Sequence, residues 1–162
     1  MGKWDTAIAF VLEMEGGYTL DPNDPGGETN FGISKKAYPD LDIKNLTVDQ
    51  AKDIYHRDYW MPCRCDNLPA PWATALFDMA VNQGTDRAIK TLQETFGLTP
   101  DGIIGPATLA AVNGADDRKL KLFLARRLTV YARLMAANQT LLVFSRNWCF
   151  RVISLAEILF KG

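Results

Sequence analysis

The sequence predicts a mainly α-helical fold, a single helical domain with a small β-hairpin after the first helix. Three observations carry this expectation. Apolar residues recur at helical spacing through most of the chain, that period breaks once between Tyr18 and Ser34 in a stretch dense in turn formers, and no repeat, low-complexity tract or long linker interrupts the rest. With 162 residues, of which 48% are hydrophobic, the chain can bury one sizeable core but is short for two full domains. Residues 1–162 are therefore read as one domain, in which 1–90 hold the β element and 91–162 form a helical part.

Each element has a local cause. Trp4, Ile8, Val11 and Leu12 lie on one helical face, and Gly16-Gly17 stops that helix, which places Glu15 at its C-terminus. The run Asp21-Pro22-Asn23-Asp24-Pro25-Gly26-Gly27 separates two short stretches, Tyr18–Leu20 and Thr29–Ile33, and predicts a hairpin or irregular β-loop. Thr47-Val48-Asp49-Gln50 has capping-box form and opens a helix expected to run to about Tyr59. After a Pro-rich break, Ala73, Leu76, Phe77 and Ala80 mark a central buried helix ending near Gly84. Asp86 is the expected cap of the next helix, which Gly97 closes, and Gly105-Pro106 puts proline at the first position of another. Two longer helices are expected at about 117–136 and 141–160, with Trp4, Trp72 and Trp148 in the core.

Composition excludes several classes. Eighteen basic and 19 acidic residues give a formal charge of -1, without the basic field that nucleic-acid binding requires, so no nucleic acid partner is expected. The apolar stretch 141–160 is interrupted by Arg146, Arg151 and Glu157, which predicts a buried helix and no stable membrane insertion. The N-terminus shows no basic-then-apolar signal pattern, and synthesis in the cytoplasm is expected. Cys63 and Cys65 are poorly spaced for a disulfide, and with Cys149 and the single His56 they fall short of a usual metal set, so no metal and no cofactor are expected. His56 is read as structural or solvated, and Arg126, Arg127 and Arg133 as the exposed face of their helix.

Glycosidic bond hydrolysis needs a carboxylic acid that stays protonated near neutral pH, and usually a second carboxylate. Glu15 follows an apolar face at the negative end of a helix dipole, and both partial burial and the dipole disfavour its charged form, the direction a general acid requires. Asp24 can fold back across a groove to oppose it. Read alone, Asp24 is equally a turn residue bonding its own backbone, and Glu15 a solvated helix end.

The run Glu15-Gly16-Gly17-Tyr18, followed by Asp21-Pro22-Asn23-Asp24-Pro25-Gly26-Gly27-Glu28-Thr29-Asn30-Phe31-Gly32-Ile33-Ser34, resembles the signature of glycoside hydrolase family 108, N-acetylmuramidases of phage endolysins and related bacterial proteins. The resemblance continues through Tyr55–Trp60, Arg64–Pro69 and Phe77–Gly84 and covers nearly the whole chain. It implies a lysozyme-like α+β fold and makes Glu15 the essential catalytic residue. The segment also resembles, more distantly, the lysozymes of T-even bacteriophages, whose pattern of Glu, eight residues, Asp, five residues, Thr fits Glu15 and Asp24 but meets Asn30 at the threonine position, with Thr29 one residue early. Thr29 is taken as the third catalytic group and Asn30 as a substrate contact. A second patch, Asp101-Gly102-Ile103-Ile104-Gly105-Pro106-Ala107-Thr108, resembles the motif of peptidoglycan-binding modules, either as a glycan contact or as a helix-turn-helix corner.

Flat aromatic rings cover the apolar face of a sugar, and amides satisfy its rim. Tyr18, Tyr59 and Trp60 are the expected platforms, with Asn82 and Gln83 on N-acetyl groups or hydroxyls. The expected activity is hydrolysis between N-acetylmuramic acid and N-acetylglucosamine. A lytic transglycosylase, which works with one glutamate, and a non-catalytic peptidoglycan-binding protein are the competitors. The resemblance further implies a phage endolysin, made in the host cytoplasm and acting on the wall in the periplasm after another protein opens the membrane. Glycan strands are the expected partner, with monomer as the default state.

Overall fold

The computed structural model describes residues 2–20 and 27–161. The first helix, α1 (Lys3–Glu15), ends where expected, with Gly16 at φ 76° turning the chain away. Three short strands follow, β1 (Thr19–Leu20), β2 (Glu28–Asn30) and β3 (Ile33–Ser34), in an antiparallel sheet of order β1-β2-β3. Thr19 pairs Thr29 across the first ladder, and Asn30 pairs Ile33 across the second. The predicted hairpin is thus part of a three-stranded sheet. The extra strand arises because Phe31 and Gly32, both at positive φ (50° and 75°), make a two-residue turn whose twist suits a tight hairpin.

Thr47 caps α2 (Val48–Tyr55) by accepting from the Gln50 amide, while the Gln50 side chain accepts from the Thr47 amide. The helix does not continue unchanged to Tyr59: residues His56–Trp60 widen into a π-helical turn. A 3-10 turn (Cys65–Asn67) leads to α3 (Ala70–Gln83), the predicted central helix, in which every residue from Trp72 to Ala80 is buried. The next helix, α4 (Thr85–Thr95), begins with Gly84 at its cap position. Asp86 lies inside the first turn and pairs with Lys90 at 2.9 Å instead of capping the helix. Pro106 opens α5 (Pro106–Asn113), and Asp116 caps α6 (Asp117–Ala137).

The late apolar segment divides. Residues Gln139–Phe144 form a 3-10 stretch, and only Ser145–Leu159 form α7. Nor is it fully buried: Val143, Phe150 and Ile153 are 75%, 62% and 59% exposed, while Val152 and Leu155 on the opposite side reach the core. No helix among the described residues is long and apolar enough to cross a membrane.

Helix α3 forms the axis on which α1, α4, α6 and α7 pack. Trp72 is buried, and Trp4 and Trp148 pack partly buried against the core. The three thiols are free, with Cys63 and Cys65 buried and Cys149 exposed. His56 stands edge-on to Trp4 at 4.9 Å and lies 6.5 Å from Trp60, a structural placement.

Candidate active site

Glu15 is the last residue of α1, and its side chain is 21% exposed. Its Oε1 accepts a 2.7 Å hydrogen bond from Nη1 of Arg151, on α7 and 136 residues away. Above it lies the β2–β3 turn. A Cβ on Gly32 would fall 2.5 Å from Glu15 Oε2 and 2.7 Å from the Tyr55 hydroxyl, so only glycine lets the turn close over the carboxylate. Tyr55 fixes the turn by donating to the Phe31 carbonyl at 2.6 Å. Burial and the neighbouring Glu15 charge push the Tyr55 phenol well above its ordinary range, so it remains a donor.

Arg151 is anchored from its other side. Its Nε donates to Asp78 Oδ1 at 2.9 Å, and Nη2 lies 2.8 Å from the same oxygen without good hydrogen-bond direction. Asp78, fully buried on α3, also receives Arg127 Nη1 on its second oxygen. Arg127 in turn donates to the Tyr131 hydroxyl at 3.1–3.2 Å, and that hydroxyl donates to Asn82 Oδ1. Two carboxylates and two guanidiniums therefore form a charge-balanced buried chain joining α1, α3, α6 and α7. Burial alone would raise the Asp78 carboxyl, but Arg127 and Arg151 outweigh it and hold it below the usual carboxylate range. Burial likewise disfavours the Arg151 charge, and Asp78 and Glu15 reverse that effect. Local sequence predicts the helix end and partial burial of Glu15 but not this cation. The expectation that Arg127 is exposed is wrong: it is fully buried, because the α6 face carrying it turns toward Asp78.

The other predicted residues divide. Thr29 lies mid-sheet, partly exposed and paired with Thr19 and Ser34. Asn30, next to it on the opposite face, is only 6% exposed, and its amide donates to the carbonyls of Ile43 and Leu46. It therefore anchors the loop before α2 and has no free face for substrate. Tyr18 is 41% exposed and donates to Glu28 Oε1 at 3.0 Å, a bond that with Glu28's charge pushes its phenol up. Tyr59 is half-buried beside Tyr55, and burial raises its phenol. Trp60 is fully buried between Trp4 and Phe77, with its indole N–H donating to Asp66, so it is a core residue and not a sugar platform. Asn82 is partly exposed but bonded to Tyr131. The amide atoms of Gln83 are buried with no hydrogen-bond partner among the described residues. Asp24 lies outside the described residues. Among the described residues no cluster of His, Cys, Asp and Glu has the form of a metal site.

Tyr55 and Asp78 fall inside stretches that carry the family resemblance, but nothing in those stretches gives them a role, and Arg151 lies outside all of them. A charged residue within an apolar helical stretch is a further hint, and both Asp78 within 73–81 and Arg151 within 141–160 carry it. The Asp101–Thr108 motif is consumed internally. Gln93, 2% exposed, donates to Asp101 Oδ1 at 2.6 Å, the Ile103 carbonyl at 3.0 Å and Thr108 Oγ1 at 3.4 Å, and accepts from the Gly102 amide. In this fold the motif shapes a corner between α4 and α5.

Comparison with known proteins finds two family models and a solved structure that match this chain. The model of the family described as Glycosyl hydrolase 108 matches residues 8–84, from within α1 through the sheet and α2 to the end of α3. A putative peptidoglycan binding domain model matches residues 74–112, overlapping the first on α3 and extending through α4 and α5. The solved structure of SagA from Brucella abortus is similar at 35% identity and a TM-score of 0.84, over 98% of this chain and 94% of that one. No curated protein matches.

Proposed function

Since the chain belongs to glycosyl hydrolase family 108 and is a glycoside hydrolase acting on peptidoglycan, we propose that it is an N-acetylmuramidase with Glu15 as general acid. The observation that carries the role of Glu15 is its setting: a carboxylate at a helix end, one-fifth exposed, clamped on one oxygen and covered by a glycine turn. With Oε1 committed to Arg151, Oε2 is the oxygen that carries the proton to the leaving glycosidic oxygen. As the bond breaks, positive charge develops on the sugar ring, and a second carboxylate steadies it or activates water. Asp24 is assigned that task, with Thr29 orienting the water through its hydroxyl. Tyr18 and Tyr59 cover sugar faces, and Asn82 meets hydroxyls or N-acetyl groups, whereas the buried amide of Gln83 would have to be uncovered to reach a sugar.

The activity fits a phage endolysin, made in the host cytoplasm as a monomer and reaching the wall in the periplasm after membrane opening. The experiment is digestion of purified peptidoglycan by wild type and Glu15→Gln, with the fragments weighed. Reducing muramic acid ends from wild type alone are expected. Fragments lighter by about 18 Da at that end, an anhydro ring, would mean transglycosylation, because the substrate's own hydroxyl then replaces water. Equal turnover by both proteins would remove Glu15 as the acid.

A further inference from the structure

We propose that the cleft between α4 and α6 holds the anionic peptide stem carried by the glycan strand, a contact separate from the hydrolytic site but resting on the same peptidoglycan substrate. The cleft measures about 370 Å³. Arg87, Lys90 and Glu94 line it from α4, and Val130, Arg133 and Leu134 from α6. Helical spacing brings these side chains into two facing stripes.

Its place in the fold follows from the contacts already described. Tyr131, one turn before Leu134 on α6, donates to Asn82, and Asn82 is three residues before the start of α4. The α6 wall of the cleft thus includes Val130, the chain neighbour of Tyr131, through which the polar chain from Glu15 reaches Asn82. A second depression of about 350 Å³, lined by Gln83, Thr85 and Arg87, continues it toward the end of α3. Gln83 lines this second depression while its amide atoms stay buried, and Asp86 and Arg87 line both.

The chemistry of the walls selects the occupant. Within the cleft, Lys90 is paired with Asp86 at 2.9 Å, and Glu94 is approached by Arg126 at 3.7 Å. Among the described residues, Arg87 and Arg133 make no ion pair, so two uncompensated cations flank the aliphatic strip of Val130 and Leu134. Peptidoglycan stems are short peptides of small alkyl side chains, several free carboxylates and, where present, one amine of a diamino acid. The carboxylates meet Arg87 and Arg133, the methyl groups meet Val130 and Leu134, and Glu94 is placed to receive the amine. The α4 wall also lies inside the segment that matches a peptidoglycan binding domain. In that segment the polar groups of the Asp101–Thr108 corner are spent on Gln93, which leaves the α4 surface as its open polar face.

The test uses the full chain, the Arg87→Glu/Arg133→Glu variant and a control with two exposed cations reversed elsewhere, Lys36→Glu/Arg118→Glu. Substrates are intact peptidoglycan and glycan strands stripped of peptide by an amidase. Free stem tetrapeptide is titrated into each protein while backbone amide signals are followed. On intact peptidoglycan the double reversal should raise KM about 10- to 100-fold with kcat held, since each reversal sets like charges together. Stripped glycan should be turned over as by wild type, and saturable tetrapeptide shifts on α4 and α6 should disappear with the variant but not the control.

An equal loss on stripped glycan, or no saturable shifts from the tetrapeptide on wild type, would overturn the proposal. So would displacement by a glycerol-phosphate polymer where the tetrapeptide has no effect, because the site would then serve a different wall anion. If Glu15→Gln digests peptidoglycan like wild type, the catalytic reading fails while the tetrapeptide titration still decides the cleft.

Discussion

Asp78→Asn probes the buried charge chain most directly. The substitution keeps the shape of the side chain but removes the one charge that both Arg127 and Arg151 share on α3, at a position with no solvent exposure. Glu15, one-fifth exposed, is then the only carboxylate left to the two guanidiniums, and only Arg151 touches it. Removing one partner of a buried ion pair costs about 3–5 kcal/mol, because the remaining charge stays desolvated without compensation. Against a total stability of roughly 5–15 kcal/mol this is a large fraction. For a domain of this length each kcal/mol moves the melting temperature by about 2–4 °C, so the variant should melt about 6–20 °C lower. Urea and thermal unfolding of wild type and variant, followed by circular dichroism at pH 7, measure it. Arg127→Met is expected to cost less, since Arg151 still serves Asp78. A loss below about 1 kcal/mol for Asp78→Asn, within the ordinary range for any substitution, would refute the claim that these charges depend on one another.

Three further outcomes are expected. Gly32→Ala adds a Cβ 2.5 Å from Glu15 Oε2 at φ 75°. If Glu15 is the acid as proposed, the substitution should lower kcat about 100-fold by displacing the Glu15 carboxylate, beside a loss of roughly 1–2 kcal/mol for the left-handed backbone; hydrolysis rates and melts on one sample separate the two. Because Trp60 is buried between Trp4 and Phe77, Trp60→Ala should destabilise by about 3–5 kcal/mol while Trp60→Phe leaves KM near wild type; a large KM rise in the phenylalanine variant would restore the sugar-platform role. Stability should fall on acidification. The folded Asp78 carboxyl lies below its unfolded value of about 3.9, so its contribution is present above about pH 4 and is lost as pH falls through the folded value. Urea titrations between pH 7 and 3 should show this limb in wild type and a flatter one in Asp78→Asn.

Features set by neighbours in the chain are legible in the sequence. Gly16-Gly17 ends α1 at Glu15, Thr47 and Gln50 cap α2 reciprocally, and Pro106 opens α5, because each depends on backbone angles or orphan amides within a few residues. The family signature places Glu15 and the sheet in the same way, as a contiguous run. What stays open along the chain depends on which face of each element turns inward. Asn30 and Thr29 are adjacent in one strand, so the pleat sends them to opposite sides, and only the packed sheet shows that Asn30 is the one spent on Ile43 and Leu46. Trp60 carries both an apolar body and a polar N–H, which suits a sugar groove and a core equally until Asp66 and Phe77 close around it. Arg127 and Arg151 look like solvated or interrupting charges along the chain. They become structural only because α3 brings Asp78 between them, and α7 returns to α1 so that Arg151 meets Glu15 across 136 residues. The sequence by itself thus determined the end of α1, the caps of α2 and α5, the β element and the place of Glu15, the proposed acid, at a helix terminus. The tertiary structure decided the charge environment of that acid, since Coulombic and hydrogen-bond partners are fixed by proximity in space, which no local pattern encodes.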